Sequence, residues 1–189
     1  MKASSVPHFW LCDVPGTRSL DPDGPLSLGA LHDAMAADRL LDVFFYDGVP
    51  SRSDFIRLFQ SDERWTYAAF REDGRPLVLA AVTGMTGKSG LAHFCYLRAG
   101  LAPAQLLARE WLLMLAEGGM RSLLGLTPAP FRHALAFAES VGFRRLGCVP
   151  GACVLAARRN RVCDGVLTML DMTRDEFFRD GGAAPKSAE

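Results

Sequence analysis

Between positions 93 and 98 the chain reads His-Phe-Cys-Tyr-Leu-Arg, which sets an imidazole, a thiol, a phenol and a guanidinium close together. An imidazole titrates at about 6.5, so His93 is a natural proton acceptor near neutral pH. The Tyr96 hydroxyl can donate one. Cys95 would attack an acyl group only as a thiolate beside a histidine and an orienting asparagine. No Cys-His-Asn arrangement is present, and a strand cysteine of this kind is inert. Glu110, next to Trp111, reads as a solvated or ion-paired acid on a helix. Thr86-Gly87-Lys88-Ser89 ends like a phosphate-binding loop, but G-x-x-x-x-G-K-[ST] requires a glycine where Val82 stands. No long helix follows Ser89, so the segment reads as a hairpin loop and nucleotide hydrolysis is excluded. Cysteines at 12, 95, 148, 153 and 163 and histidines at 8, 32, 93 and 133 show no CxxC, HxxH or HExxH spacing. Neither a metal site nor a disulfide framework is expected.

These groups must be held by regular elements, and the pattern divides the chain clearly. A first strand is expected over residues 8–14, followed by the turn-rich Pro15-Gly16 and Asp21-Pro22-Asp23-Gly24-Pro25. Residues 1–26 are thus an N-terminal strand and loop. Ser27 can cap a helix whose apolar positions run from Leu28 to Phe44, and Ser51 or Ser53 a short second one. Residues 27–60 form this helical lead. Strands follow at Trp65–Phe70, Leu77–Val82 and Leu91–Leu97, with Glu72-Asp73-Gly74 as a hairpin turn and 83–90 as a loop. Pro103 opens a helix that Gly118-Gly119 ends. A strand over Met120–Leu126 leads to a helix over about 131–141 closed by Gly142. Strands at 143–146, 152–157 and 166–172 complete a core of 65–172. Thr173-Arg174-Asp175-Glu176 has capping-box spacing for a last short helix, and 181–189 read as a frayed tail. The expected architecture is α/β, with a mixed, mostly antiparallel twisted sheet flanked by helices, in a single domain spanning 1–189. A strand–helix–strand unit inside it supplies a parallel pair.

The stretch from Ala134 to Gly147 (Ala-Leu-Ala-Phe-Ala-Glu-Ser-Val-Gly-Phe-Arg-Arg-Leu-Gly) resembles the late helix and strand of the GCN5-related N-acetyltransferases. In that family a helix reading A-x-x-(F/L)-Y-x-x-x-G-F precedes a strand x-x-x-G. The Asp73-Gly74 hairpin and the 91–126 strand–helix–strand are similar to the family's layout as well, and the resemblance covers about 40–172. It implies an acyl-CoA N-acyltransferase-like fold, acetyl-CoA as co-substrate and direct transfer to an amine. The family's pyrophosphate loop, (Q/R)-x-x-G-x-(G/A), aligns Arg98 with its first position. Its glycine positions then carry Leu101 and Pro103, with Gly100 one place away. The resemblance gives Arg98, Gly100, Leu101, Ala102 and Ala104 as the phosphate-binding turn. Phe131 and Arg132 lie at the start of the late helix, where pantetheine and the adenosine phosphates pass, with His133 beside them. His93 is implied as base and Tyr96 as the acid for the departing thiolate. Ala138 stands where many members carry a tyrosine acid, and Phe131 where an asparagine is common. A catalytically inactive binding or structural protein on the same fold is therefore the second expectation, and the layout is also similar to acetyltransferase-like proteins of phages and prophages.

The 189 residues carry 21 basic and 21 acidic side chains, with 49% hydrophobic residues. Zero net charge gathers neither nucleic acid nor acidic lipid. Arg158-Arg159-Asn160-Arg161, the one basic cluster, reads as a turn between strands. Met1–His8 lacks the apolar run of a signal peptide, and no 18-residue apolar stretch occurs. The expectation is a cytoplasmic protein with reduced cysteines, no metal, no nucleic-acid or membrane partner and an amine acceptor of unstated identity. A homodimer is compatible with the composition.

Overall fold

A computed structural model describes residues 7–13, 26–61 and 63–173. One seven-stranded sheet runs through them in the order β1-β2-β3-β4-β5-β7-β6. Its strands are β1 (His8–Asp13), β2 (Trp65–Arg71), β3 (Pro76–Thr86), β4 (Ser89–Tyr96), β5 (Ser122–Pro128), β6 (Arg144–Leu155) and β7 (Arg161–Asp171). The helices are α1 (Leu28–Ala37), α2 (Leu41–Phe44), α3 (Arg52–Phe59), α4 (Ala104–Glu117) and α5 (Arg132–Ser140). All neighbouring strands are antiparallel except β4 and β5, which the α4 crossover joins in parallel. The expected mixed sheet flanked by helices is what the chain forms. The loop at 14–25 and the last helix and tail expected from 174 onward lie outside the described residues.

Period-two alternation sends the two faces of the sheet into two cores. Tyr67, Ala69, Val78, Ala80 and Val82 pack under α4, against Leu107, Trp111 and Leu115. Ala68, Phe70, Leu79, Ala81 and Cys95 point the other way, against Leu28, Leu31, Met35 and Phe55 of α1 and α3. The helices therefore sandwich the sheet, with α4 and α5 on one side and α1–α3 on the other.

Local signals behave as their chemistry requires. The Ser27 hydroxyl, 1% exposed, accepts the Ala30 N–H at 3.0 Å. Ser27→Ala is expected to lower stability by about 1 kcal/mol, read as a shifted urea midpoint at constant slope. Gly142 takes φ +102 after α5 and returns Phe143 to the core. Three segments differ from the pattern reading. The stretch 28–44 is two helices, because Arg39 adopts φ 57 and closes α1. The Arg39 N–H donates to Ala36 and the Leu40 N–H to Met35, a Schellman closure made without the usual glycine. The loop read at 83–90 shrinks to a tight hairpin at Gly87-Lys88, since β3 runs to Thr86 and β4 starts at Ser89. Residues 144–155 form one strand, with register shifts at 145–147 and 149–153 in place of a break.

Candidate active site

The parallel pair is short. β4 and β5 are in register only at Ser89–Ser122, Gly90–Leu123 and Leu91–Leu124, and then they part. The backbone direction of β4 follows from two hydrogen bonds. The Leu97 N–H donates to the Leu77 carbonyl on the β3 side, and the Lys88 carbonyl accepts from Arg121 on the β5 side, each at 2.8 Å. Backbone groups alternate along a strand, so even-numbered positions face β5. Beyond Leu91 the N–H groups of Phe94 and Tyr96 and the carbonyls of Ala92 and Phe94 thus turn into the gap.

A cavity of about 600 Å³ occupies this gap. It is lined from both sides of the sheet: Tyr96, Trp111, Phe137 and Ala138 on the α4–α5 face, and Phe44, Tyr46, His93 and Phe131 toward the α2 side. Phe94 stacks on Phe137 at 5.4 Å and meets Trp111 at a tilt, with ring centroids 5.7 Å apart. Tyr96 sits 5.2 Å from Phe137, the residue before Ala138. Among the described residues, Trp111 Nε1 is a buried polar atom with no hydrogen-bond partner, in a side chain that lines the cavity.

His93 and Tyr96 occupy opposite faces of β4. His93 Nε2 lies 2.9 Å from Thr83 Oγ1, and its ring meets Phe44 edge-on at 6.3 Å. Burial, reinforced by the charge of Arg64 and only partly opposed by Asp47, holds this imidazole down at about 4. Above pH 6.5 it is neutral in both the folded and unfolded chain. As pH falls toward 4, the unfolded chain takes up a proton that the folded one refuses. Unfolding near pH 4 is therefore expected to need about 3 kcal/mol less than near pH 7 through this group, and His93→Gln should remove that part of the acid sensitivity. Cys95, on the same face, is pushed up to about 12 by burial, which fits an inert thiol. Tyr46 is raised by burial and hydrogen-bonded to Cys153.

The structure brings together only part of the residues expected from sequence. His93, Tyr96, Phe131 and Arg132 line the cavity, as does His133. Arg98, Gly100, Leu101, Ala102 and Ala104 lie outside its lining, at the end of β4 and the start of α4. Arg98 is exposed, and its backbone N–H donates to Asp38 Oδ2 at 2.6 Å. Leu101 is 58% exposed, and Pro103 takes the N-cap position of α4, where it has no N–H to give. Gly100 is buried against β3, where an added Cβ would come inside 3.0 Å of the Leu77 carbonyl oxygen. Its glycine thus serves packing against the sheet. The pattern reading missed Phe44, Tyr46, Trp111 and Phe137 as cavity walls. Phe44-Phe45-Tyr46 is an aromatic run just before a turn and was the available signal. Glu110, read as a solvated or ion-paired acid, accepts from Trp10 Nε1 at 3.0 Å and meets His8 Nε2 at 2.6 Å.

The arrangement is that of an acyl-CoA N-acyltransferase fold, with a parting parallel pair flanked by helices. The spermidine N-acetyltransferase from Vibrio cholerae, solved in complex with CoA and spermine, superposes at a TM-score of 0.69 over 90% of this chain and 98% of its own, with 10% identity. An N-acetyltransferase from Staphylococcus aureus Mu50 superposes at 0.62 over 87% of this chain and 98% of its own, with 15% identity. The fold is that of the GCN5-related N-acetyltransferases. No protein-family model matches the chain, and no curated protein does.

Proposed function

We propose that this protein is an acetyl-CoA-dependent N-acetyltransferase that transfers the acetyl group directly to an amine. The observation that carries the reading is the cavity between β4 and β5, open to backbone N–H groups and reaching both faces of the sheet. A thioester lying in the gap would meet the Phe94 and Tyr96 N–H groups, which polarise its carbonyl. Tyr96, packed against Phe137 of α5, is on the side where the pantetheine would lie and takes the part of acid toward the departing sulfur. His93, across the strand, receives the proton released by the amine. Trp111 Nε1–H offers a donor to an amide carbonyl of the pantetheine arm. Arg132 provides positive charge at the start of α5 for the phosphates, with the His133 ring beside it as a hydrogen-bonding group. Arg98 and the turn at Gly100, Leu101, Ala102 and Ala104 remain the proposed pyrophosphate contact, weakened by the missing Pro103 N–H. Five free thiols and the lack, among the described residues, of a helix able to cross a membrane fit the proposed cytoplasmic location. A non-catalytic binding protein is the second reading, and Pro103 and Ala138 are the observations that favour it.

Calorimetric titration with acetyl-CoA separates them. Saturable binding with turnover of an amine supports the enzyme, and binding without turnover of any amine supports the second reading. Tyr96→Phe is expected to lower kcat by roughly 10²-fold at unchanged acetyl-CoA affinity, the usual worth of a proton-transfer group.

A further inference from the structure

The cavity wall on the acceptor side has an unusual composition. Among the described residues that line the cavity, the charged ones are Arg132, placed above on the cofactor phosphates, and Arg158, and none is an Asp or Glu. Asp47 acts on His93 and Tyr46 through its charge but is exposed and outside the lining. A polyamine carries several ammonium groups, and each would leave water here without a counter-charge. The remaining surface is aromatic. Phe44 meets His93 edge-on, Tyr46 meets Phe131 edge-on at 6.4 Å, and all four rings line the same cavity, so an acceptor on this side is met by ring faces and edges.

We infer that the acceptor is a flat, weakly basic aromatic amine, seated between Phe44, Tyr46 and Phe131, with any anionic substituent directed to Arg158. This rests on the acetyl-transfer reading above. The chemistry of the base agrees with it. An alkylammonium near 10.4 holds its proton against a histidine that is itself hard to protonate, whereas an arylamine is already neutral. In the reaction the amine lone pair attacks the thioester carbonyl carbon and forms the C–N bond. The adduct's N–H proton, made acidic by the positive nitrogen, passes to His93. The adduct then collapses, the C–S bond breaks, and the sulfur takes a proton from the Tyr96 hydroxyl. His93 and Tyr96 return to their starting states by proton exchange with water. The net change is one amine hydrogen exchanged for acetyl and one hydrogen gained by the CoA sulfur.

The test uses the full chain. Acetyl-CoA is first titrated calorimetrically, and 4-aminobenzoate, aniline and spermidine are then offered with it, with acetylated product followed by mass spectrometry. 4-Aminobenzoate is expected to have a kcat/KM about 100-fold above spermidine. Phe44→Ala should raise the KM for 4-aminobenzoate about 10-fold and leave acetyl-CoA affinity within about 2-fold. Val43→Glu places a carboxylate on a half-exposed lining position that the core does not need. It should shift the preference toward spermidine by about 10-fold. Better use of spermidine by the unaltered protein, no turnover of either arylamine while acetyl-CoA binds, or an unmoved preference in Val43→Glu overturns the assignment of the acceptor alone. Failure of acetyl-CoA to bind overturns the transfer reading, and this inference falls with it.

Discussion

Gly100→Ala is expected to destabilise the fold by about 2–3 kcal/mol, the range for forcing volume into a packed site. The added Cβ falls inside 3.0 Å of the Leu77 carbonyl oxygen, which is backbone and cannot swing aside. That same carbonyl accepts the Leu97 N–H at 2.8 Å, and the Gly100 N–H turns back to Leu97 at 2.8 Å. A methyl group here must pry the 3₁₀ turn at Arg98–Gly100 off the sheet or break the last rung between β3 and β4. Urea unfolding measures the loss directly. The competing role, a glycine that lets backbone approach a pyrophosphate, makes a different prediction: stability would hold and acetyl-CoA affinity would fall.

Trp111 gives the second large effect. It is 2% exposed and contacts Phe94 and Tyr67, with ring centroids 5.7 and 6.3 Å away. Trp111→Ala is expected to cost about 3–5 kcal/mol, since the wall it vacates already borders a cavity and cannot collapse onto it. Trp111→Phe isolates the indole N–H. Nε1 has no partner within the protein, so removing it relieves an unsatisfied donor, and stability should change by less than about 1.5 kcal/mol. If the N–H serves the pantetheine arm, the same variant should bind acetyl-CoA roughly tenfold more weakly. An affinity unchanged from the unaltered chain would show that the indole is a structural wall alone.

The parts of this fold that were legible in sequence are those whose cause is local. Asp73-Gly74 makes its hairpin because Gly74 can take φ 84, and Ser27 caps α1 with its own hydroxyl. Gly142 and Phe143 end α5 and re-enter the core within two residues. The break at Arg39 was illegible because an arginine supplies the left-handed turn that a glycine usually announces. The candidate site divides in the same way. His93 and Tyr96 share one strand, so their spacing alone put them together. Phe44, Tyr46 and Phe131 line one cavity although they come from α2, the turn after it and the start of α5, which the order of the strands brings to the same gap. That is a property of strand order, which no local pattern encodes. The packing demand on Gly100 was illegible for a related reason: its neighbour Leu77 lies on another strand.

Among the described residues, β1–β4 and β5–β7 are in register at only three residue pairs of the sheet, with one further backbone bond from Arg121 to Lys88. Each half otherwise closes its own ladder, so the seam is where local opening should require least free energy. Amide hydrogen exchange should accordingly follow a gradient, slowest at Leu79 and Ala80 inside β3 and fastest along the β4 edge at Phe94 and Tyr96. A molecule wedged in the gap would supply the missing rungs and bind the two halves into one cooperative unit, and protection gained at those two amides would report its arrival.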